Sequence, residues 1–586
     1  MNRSVLLLIA AAIGVLTSFT TAVDLVPRVR LVEVVLVFFG AFGAGAAFTA
    51  AVVELRTKRE RRPNVRGRPF AVFLLIAVLS ASAEAQTAPT AAPPDLDAYV
   101  ARTLQTFSVP GASLSVVKDG RVVVAKGYGV RKLGEPAAVD AQTLFGIASN
   151  TKVVTAAALG LLVEEGKLEW DAPVIRYLPW FQMWDPYVTR ELSIRDLLVH
   201  RSGLGLGAGD LLWWPASTYD RKEIARRLRF IRPVTSFRSA YAYDNVLYLV
   251  AGEVIESLSG KSWEDFVTER ILKRAGMTTS NVRHSDALKG GNVATPHAPI
   301  GEKVTSIKPF DSDNTNPAGG INSNAVDMAR WMTVLLARGA LPDGSRLFSE
   351  ATWRELTTVV TPLSTPPPPP ELAAQRSNYR GYALGLGVAD YRGQKLLMHT
   401  GGLPGYVSRV MLVPDAQLGI AVLTNQESGA AFDAIAFRVA DHFLGAPQTD
   451  WIEAYQKLTA RQEAAVAAAE KKAATSRDTT SKPSLPLSKY AGTYVDEWYG
   501  EIAIEEQQGR LGIRFTRTPS LTGTLEHWQH DTFIARWSDR ELRADAYVTF
   551  ALNPDGSIDQ AKMRAVSPAT DFSFDFHDLL LKPQRK

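Results

Sequence analysis

The chain predicts an α+β fold: an antiparallel sheet flanked by helices, followed by a small all-β C-terminal barrel and preceded by N-terminal hydrophobic helices. Three observations predict it. β-rich runs open and close a long region whose middle reads as helix, which places the terminal strands in one sheet. From about residue 487 the chain becomes a series of short β runs separated by Gly, Asp and Pro turns. The first 85 residues consist largely of apolar runs that resemble nothing later in the chain.

Those runs come first. Ser4 to Val23 and Leu31 to Val53 are each about long enough to span a bilayer as a helix. Arg56 to Pro69 carries seven Lys or Arg against one Glu. Phe70 to Ala83 is a shorter apolar run ending in Ala83-Glu84-Ala85 before Gln86. A basic stretch, a short apolar stretch and a small-x-small site read as a signal peptide. Its internal position fits either a preceding helical hairpin or translation starting near Val65. Both place the remainder in the periplasm or cell envelope, with membrane association through the N-terminal segments, or secretion after cleavage near Ala85.

The next stretch, residues 86–98, is a Pro/Ala linker. In residues 99–450, Ala112 to Val117 and Val122 to Gly129 flank Asp119-Gly120, a two-residue hairpin signal. Helices are expected over Lys152 to Glu165, closed by Gly166, and over Asn245 to Leu258, closed by Gly260. Lys395 to Thr400, Tyr406 to Val413 and Gly419 to Thr424 are expected strands. The proline-rich run Pro362 to Pro370 reads as a surface loop. Residues 451–486 form a helical linker, helical over Trp451 to Ala474. Residues 487–586 form the barrel-like domain.

Composition narrows the chemistry. Of 586 residues 46% are hydrophobic and none is cysteine, which removes disulfides, thiol nucleophiles and thiolate metal sites. The net charge of +5 resides in the basic block, so nucleic acid is not an expected partner; a small molecule or peptide is. His527 and His530 lack carboxylate support, and neither a metal nor any other cofactor is expected.

Ser149-Asn150-Thr151-Lys152 opens a predicted helix. Residues three apart share a helix face, so the amine of Lys152 can reach the Ser149 hydroxyl, and free N–H groups at the helix start favour a developing oxyanion. The motif alone fits a capping serine with a solvated lysine equally well. A second copy, Ser115 to Lys118, lies on a predicted strand, where such residues point to opposite faces. Tyr243-Asp244-Asn245 precedes the second helix. A phenol close to an ammonium is expected to give up its proton more readily and to relay one. In isolation, Tyr243 and Asn245 also fit a core tyrosine and an N-cap. His399-Thr400-Gly401 sits at a predicted strand end before Gly402, and alone it fits an edge-strand histidine before a turn.

Together these motifs resemble the serine β-lactamase and penicillin-binding-protein-like superfamily, in particular its branch near class C β-lactamases, esterases and D-aminopeptidases. Leu197 to Leu204 resembles that branch's LLTHTSGL stretch, and Pro317 to Ile321 its AGG turn. The resemblance implies a β-lactamase/transpeptidase-like sheet. It implies Ser149 as acylated nucleophile, Lys152 and Tyr243 as proton-transfer groups, and Asn245 as partner of substrate and lysine. His399, Thr400 and Gly401 would line the opposite wall, and the N–H groups of Ser149 and Gly402 the oxyanion hole. Ser312-Asp313-Asn314 copies the second class A motif but reads as a loop.

His399 stands where antibiotic-destroying members generally have lysine, so the wall is expected to lack a permanent positive charge. An exported serine hydrolase acting on esters or peptide amides is expected before a β-lactamase or DD-carboxypeptidase. A catalytically silent binding protein of the envelope is the alternative from another class. Leu211, Leu212, Trp213 and Trp214 fit either an apolar substrate pocket or core packing.

Overall fold

Asp119 and Gly120 take positive φ (51° and 72°), the geometry that a two-residue hairpin turn requires. They join β1 (Gly111–Lys118) to β2 (Arg121–Gly129). This computed structural model describes residues 89–584, Leu288 excepted. The candidate spanning and signal-like segments of residues 1–85 lie outside the described residues. Among the described residues no helix is long and apolar enough to cross a membrane.

The hairpin is one edge of an eight-stranded sheet. The other strands are β3 (Thr361–Leu363), β4 (Arg380–Tyr382), β5 (Gly387–Tyr391), β6 (Gln394–Leu403), β7 (Tyr406–Val413) and β8 (Leu418–Thr424). The spatial order is β2-β1-β8-β7-β6-β5-β4-β3. As expected, the terminal strands meet: β1 pairs antiparallel with β8.

Every residue of β8 is buried because both faces of the sheet are covered. Ile420 and Val422 pack with α1 (Leu96–Thr106), α5 (Gly429–Phe443) and the first turn of α6 (Trp451–Thr475). Ala421 and Leu423, one residue out of phase, pack with α2 (Lys152–Glu164), α3 (Val246–Ser259) and α4 (Ala325–Leu336).

Several boundaries move. α1 begins inside the expected 86–98 linker, because Leu96, Tyr99 and Val100 cover the sheet. The 451–486 segment is helical to Thr475, but its first turn belongs to the hydrolase core: Trp451 stacks 5.2 Å from Phe437 and donates to Asp441 at 2.9 Å. Pro362 and Leu363 are strand rather than loop, pairing at the sheet edge where proline costs no ladder bond. His399 is not at a strand end, since β6 continues to Leu403.

The C-terminal domain is a closed barrel of β9 (Gly492–Asp496), β10 (Gly500–Gln507), β11 (Arg510–Phe515), β12 (Thr522–Gln529), β13 (Thr532–Trp537), β14 (Ala546–Leu552), β15 (Ile558–Ala565) and β16 (Leu580–Pro583). In β11, Leu511, Ile513 and Phe515 point inward and Arg510 and Arg514 outward. The barrel interior and the helical side of the hydrolase domain form one continuous apolar core. The contact is also hydrogen-bonded, from Thr218 N to the Arg517 carbonyl at 2.8 Å and from Arg227 to the Trp498 carbonyl at 2.9 Å.

Truncating Trp451 leaves a large cavity and removes one of the donors to Asp441. Trp451→Ala is expected to lower unfolding free energy by about 3–5 kcal/mol in denaturant titration. A loss below about 1 kcal/mol would return this turn to the linker.

Candidate active site

The site is built around the entrance to α2. The helix is apolar on all sides and buried throughout. Ser149 lies on the single turn Ala148–Thr151 that leads into it. Ala148 takes a left-handed φ of 49°, which bends the chain sharply before the serine. The turn is anchored to the sheet: Ser408 on β7 donates to the Ile147 carbonyl at 2.7 Å, and Asn150 donates to Ser408 at 2.8 Å. Gly401 makes this approach possible, since a Cβ there would fall 2.1 Å from the Ile147 oxygen. Gly401 thus packs against the turn that carries Ser149, between Thr400 and Gly402, which line the cavity.

Lys152 is completely buried. Its Nζ lies 3.0 Å from Ser149 Oγ, 2.7 Å from Asn245 Oδ1 and 3.0 Å from the Ala318 carbonyl. Asn245 Oδ1 and the carbonyl are acceptors only, so two N–H bonds of the amine are committed to them. The third position faces Ser149. It is a donated proton when the amine is charged and a lone pair when it is neutral. Burial pushes the Lys152 pKa down to about 7, against the pull of Asp210 and Asp244.

Asn245 begins α3 without capping it with its side chain. Its Nδ2 instead donates to Asp210 Oδ2 at 2.9 Å, which fixes the amide so that its oxygen faces Lys152. Burial pushes the Asp210 carboxyl up to about 7, opposed by donors from Asn245, Ser573 and Trp213 and by the charge of Lys152. Sequence reasoning missed Asp210, a lone carboxylate in a loop.

Tyr243 packs 4.8 Å (ring centroid) from Lys152 Nζ. The expectation of a readily ionised phenol is not met. Burial pushes Tyr243 well above its ordinary value of 10, with the Ser149 side chain as the largest opposing influence. The ammonium that was to lower it is itself destabilised by the same burial. Tyr243 therefore keeps its phenol proton near neutral pH.

Across the cavity, His399 Nε2 lies 2.7 Å from the Tyr382 hydroxyl and Nδ1 contacts the Thr400 carbonyl. Burial first, then the nearby Lys152 charge, hold His399 down to about 3, so the ring is neutral. His200 packs between Tyr243 and Tyr382, tilted against the first at 4.3 Å and edge-to-face with the second at 4.6 Å. Neither Tyr382 nor His200 was singled out from sequence, although the stretch containing His200 was.

A cavity of about 400 Å³ opens over Ser149, lined by Tyr243, Asn245, His399, Thr400 and Gly402. Trp213 and Trp214 line it too, while Leu211 and Leu212 are wholly buried, so the four divide between pocket and core. Asp571, Phe572 and Ser573, from the barrel, complete the lining. Arg380 and Arg409 also reach the cavity, which corrects the expectation of a wall without permanent positive charge. Arg409 is paired with Asp433 at 3.2 Å, and Arg380 is solvent-exposed.

The decoy motifs lie elsewhere. Ser115 is buried on β1 and Lys118 pairs with Asp119 at 2.7 Å. Asn314 of the Ser312 copy donates to the Tyr219 carbonyl at 2.9 Å. Among the described residues no group of three or more His, Asp or Glu is placed to hold a metal ion.

Comparison with known proteins agrees with this architecture. The Beta-lactamase family model matches residues 96–444, and a domain of unknown function, DUF3471, matches residues 476–583. An unguisins hydrolase of Aspergillus campestris is 30% identical over 489 residues, covering 79% of this chain and 88% of that protein. Penicillin-binding protein 4 of Amycolatopsis lactamdurans is 29% identical over 342 residues, 56% of this chain and 84% of that protein. The octameric penicillin-binding protein homologue from Pyrococcus abyssi superposes with a TM-score of 0.53 at 21% identity, over 83% of this chain and 99% of that one.

Ser149→Ala and Lys152→Ala are each expected to lower turnover at least ~10³-fold, since a serine nucleophile and its lysine base act as one unit. Ser115→Ala should change it little; the reverse pattern would move the site. The kcat/KM for a neutral ester should rise with pH through a limb near 7, because only the uncharged Lys152 amine accepts the serine proton and it predominates above its pKa. A flat profile between about pH 5 and 9 would exclude Lys152 as base.

Proposed function

Because the chain belongs to the beta-lactamase family, we propose that it is a serine hydrolase that cleaves peptide amides or esters through an acyl-enzyme on Ser149. The observation that carries this reading is the buried Lys152 amine at hydrogen-bond distance from Ser149 Oγ.

The sequence of steps follows from the geometry. Lys152, neutral and tethered to Asn245 and the Ala318 carbonyl, takes the Ser149 proton as Oγ attacks the substrate carbonyl. The resulting ammonium is stabilised by Asp210 and Asp244. The oxyanion is received by the N–H groups of Ser149 and Gly402, at the start of the turn and on the exposed strand edge. Tyr243, protonated throughout the working range, supplies the leaving group's proton and recovers one from Lys152. Water then attacks the acyl-enzyme by the same route in reverse.

Peptide-like substrates are favoured by the strand edge. β5 pairs with β6 only as far as Gly387 opposite Met398. Thr400 to Gly402 are left beside the cavity with that edge open, so an extended substrate backbone can add as a further strand. The relative named unguisins hydrolase supports hydrolysis as the reaction class.

On selectivity, the neutral His399 offers a substrate carboxylate no charge-assisted bond, and such a bond is worth about 1.5–3 kcal/mol when desolvated. Arg380 stands in water, where an ion pair contributes about 0–1 kcal/mol. Short acyl p-nitrophenyl esters and amino-acid amides are therefore expected to show higher kcat/KM than penicillins or D-Ala-D-Ala peptides. His399→Lys should shift the ratio toward carboxylates about ten- to a hundredfold. Arg380→Ala should change it by less than about fivefold. Faster turnover of cephalosporins than of any ester would favour the β-lactamase reading, and no labelling of Ser149 by a fluorophosphonate would favour a silent binding protein.

A further inference from the structure

We propose that Ser573, on the barrel loop between β15 and β16, is a positioning residue for the catalytic base, so that the C-terminal barrel completes the hydrolase site. This inference rests on the proposed roles of Ser149 and Lys152.

The connection is a continuous run of hydrogen bonds. Ser573 Oγ donates to Asp210 Oδ2 at 2.9 Å, and Asn245 Nδ2 donates to the same oxygen at 2.9 Å. Asn245 Oδ1 in turn accepts from Lys152 Nζ at 2.7 Å. Ser573, Asp210, Asn245 and Lys152 are 4%, 0%, 5% and 0% exposed, so each link is shielded from bulk water. The barrel also grips the loop that carries Asp210: Asp575 accepts from the N–H groups of Gly209 at 2.7 Å and Leu211 at 2.9 Å, one on each side of it. At Gly207, a Cβ would lie 2.8 Å from the Phe572 carbonyl oxygen, so the two loops meet backbone to backbone.

The bond matters because of what Asp210 does to Asn245. An ionised Asp210 is an acceptor only, so it takes the amide N–H of Asn245 and leaves the amide oxygen for Lys152. A protonated Asp210 can donate to that oxygen instead. The amide then turns its N–H toward Lys152 and occupies the lone pair that should face Ser149. The productive arrangement is an anionic Asp210 with a neutral Lys152.

The groups around Asp210 hold it near balance. Lys152, Asn245, Trp213 and Ser573 favour the anion, while burial and the adjoining carboxyl of Asp575 oppose it. The other titratable groups around it are Asp244, Tyr243, Tyr248 and Asp578, with His200 and His399, which burial holds below the ordinary imidazole value. Removing one donor from a carboxylate so placed moves the balance toward the acid form.

The test uses the full chain, a neutral ester and the pH dependence of kcat/KM for Ser573→Ala, Ser573→Cys and Ser573→Thr. Losing one hydrogen bond to a charged group should move the acid limb of Ser573→Ala upward by about one pH unit, with a roughly fivefold loss at pH 7 that is recovered on the alkaline plateau. Ser573→Cys, a weaker donor, should fall between, and it carries the test if the alanine variant does not fold. Ser573→Thr should return the limb to within about 0.3 unit of wild type, since the donor is restored. A loss of rate that is equal at all pH values, or an unmoved limb, would overturn the proposal and leave the loop as packing alone. Failure of the underlying site reading looks different: wild type would lack the limb, or Ser149→Ala would keep fluorophosphonate labelling.

Discussion

A primary amine with no access to water is the constraint around which this molecule is arranged. Transferring an ammonium ion into such a site costs several kcal/mol even after relaxation, and a lone buried charge is lost by deprotonation rather than tolerated. Lys152 sits at the point where these tendencies balance. Its surroundings supply two fixed acceptors, and two buried aspartates lie close enough to support the charged form. The amine is therefore poised to gain and lose a proton near neutrality, as a general base must. A surface lysine three residues from the same serine would remain an ammonium and could only donate.

Other features follow from keeping that amine dry and pointed. α2 is apolar around its whole circumference because it is enclosed on every side, and the turn carrying Ser149 is tied to the sheet through Ser408 and Asn150. The rings of Tyr243 and Tyr248 lie 4.8 and 5.1 Å from Nζ, where their π faces favour a transient ammonium without competing for a proton. The low polarity that depresses the lysine raises the phenol of Tyr243. One environment thus separates acid from base by acting oppositely on a cationic and a neutral acid.

Much of this was legible in the sequence because it is local. The hairpin announced itself through Asp119-Gly120, the helices through Gly166 and Gly260, and the barrel through short β-rich runs such as Leu511 to Phe515 set between Gly, Asp and Pro turns. Ser149 and Lys152 share one helical turn, and Tyr243 and Asn245 flank the start of the next helix. What stayed hidden depends on contacts between distant segments. Asp210 has no motif of its own and acquires meaning only when it meets Asn245 and Ser573. Tyr382 is unremarkable until β4 lies beside His399. The direction of the Tyr243 shift was misjudged because motif spacing gives proximity to Lys152 but not burial, and burial outweighs proximity here. The first turn of α6 was assigned to a linker because its Ala/Glu/Lys-rich remainder masks Trp451, Ile452 and Tyr455.

The barrel changes how the molecule divides. By sequence it is a separate module after a linker, yet its apolar interior runs into the hydrolase core and its β15–β16 loop forms part of the cavity over Ser149. A second cavity of about 450 Å³ is bounded by Trp214, Gly402, Leu403 and Asp571, all of which also line the first, and by Leu542 and Phe574 of the barrel. The space leading to the nucleophile is therefore enclosed by two domains. The hydrolase domain fixes the reacting atoms on a helix and a strand, which tolerate little displacement. The barrel contributes its walls from a loop, the kind of element that can vary in length and sequence without disturbing the sheet. That arrangement places the chemistry on the rigid part of the structure and the shape of the cleft on the part free to change.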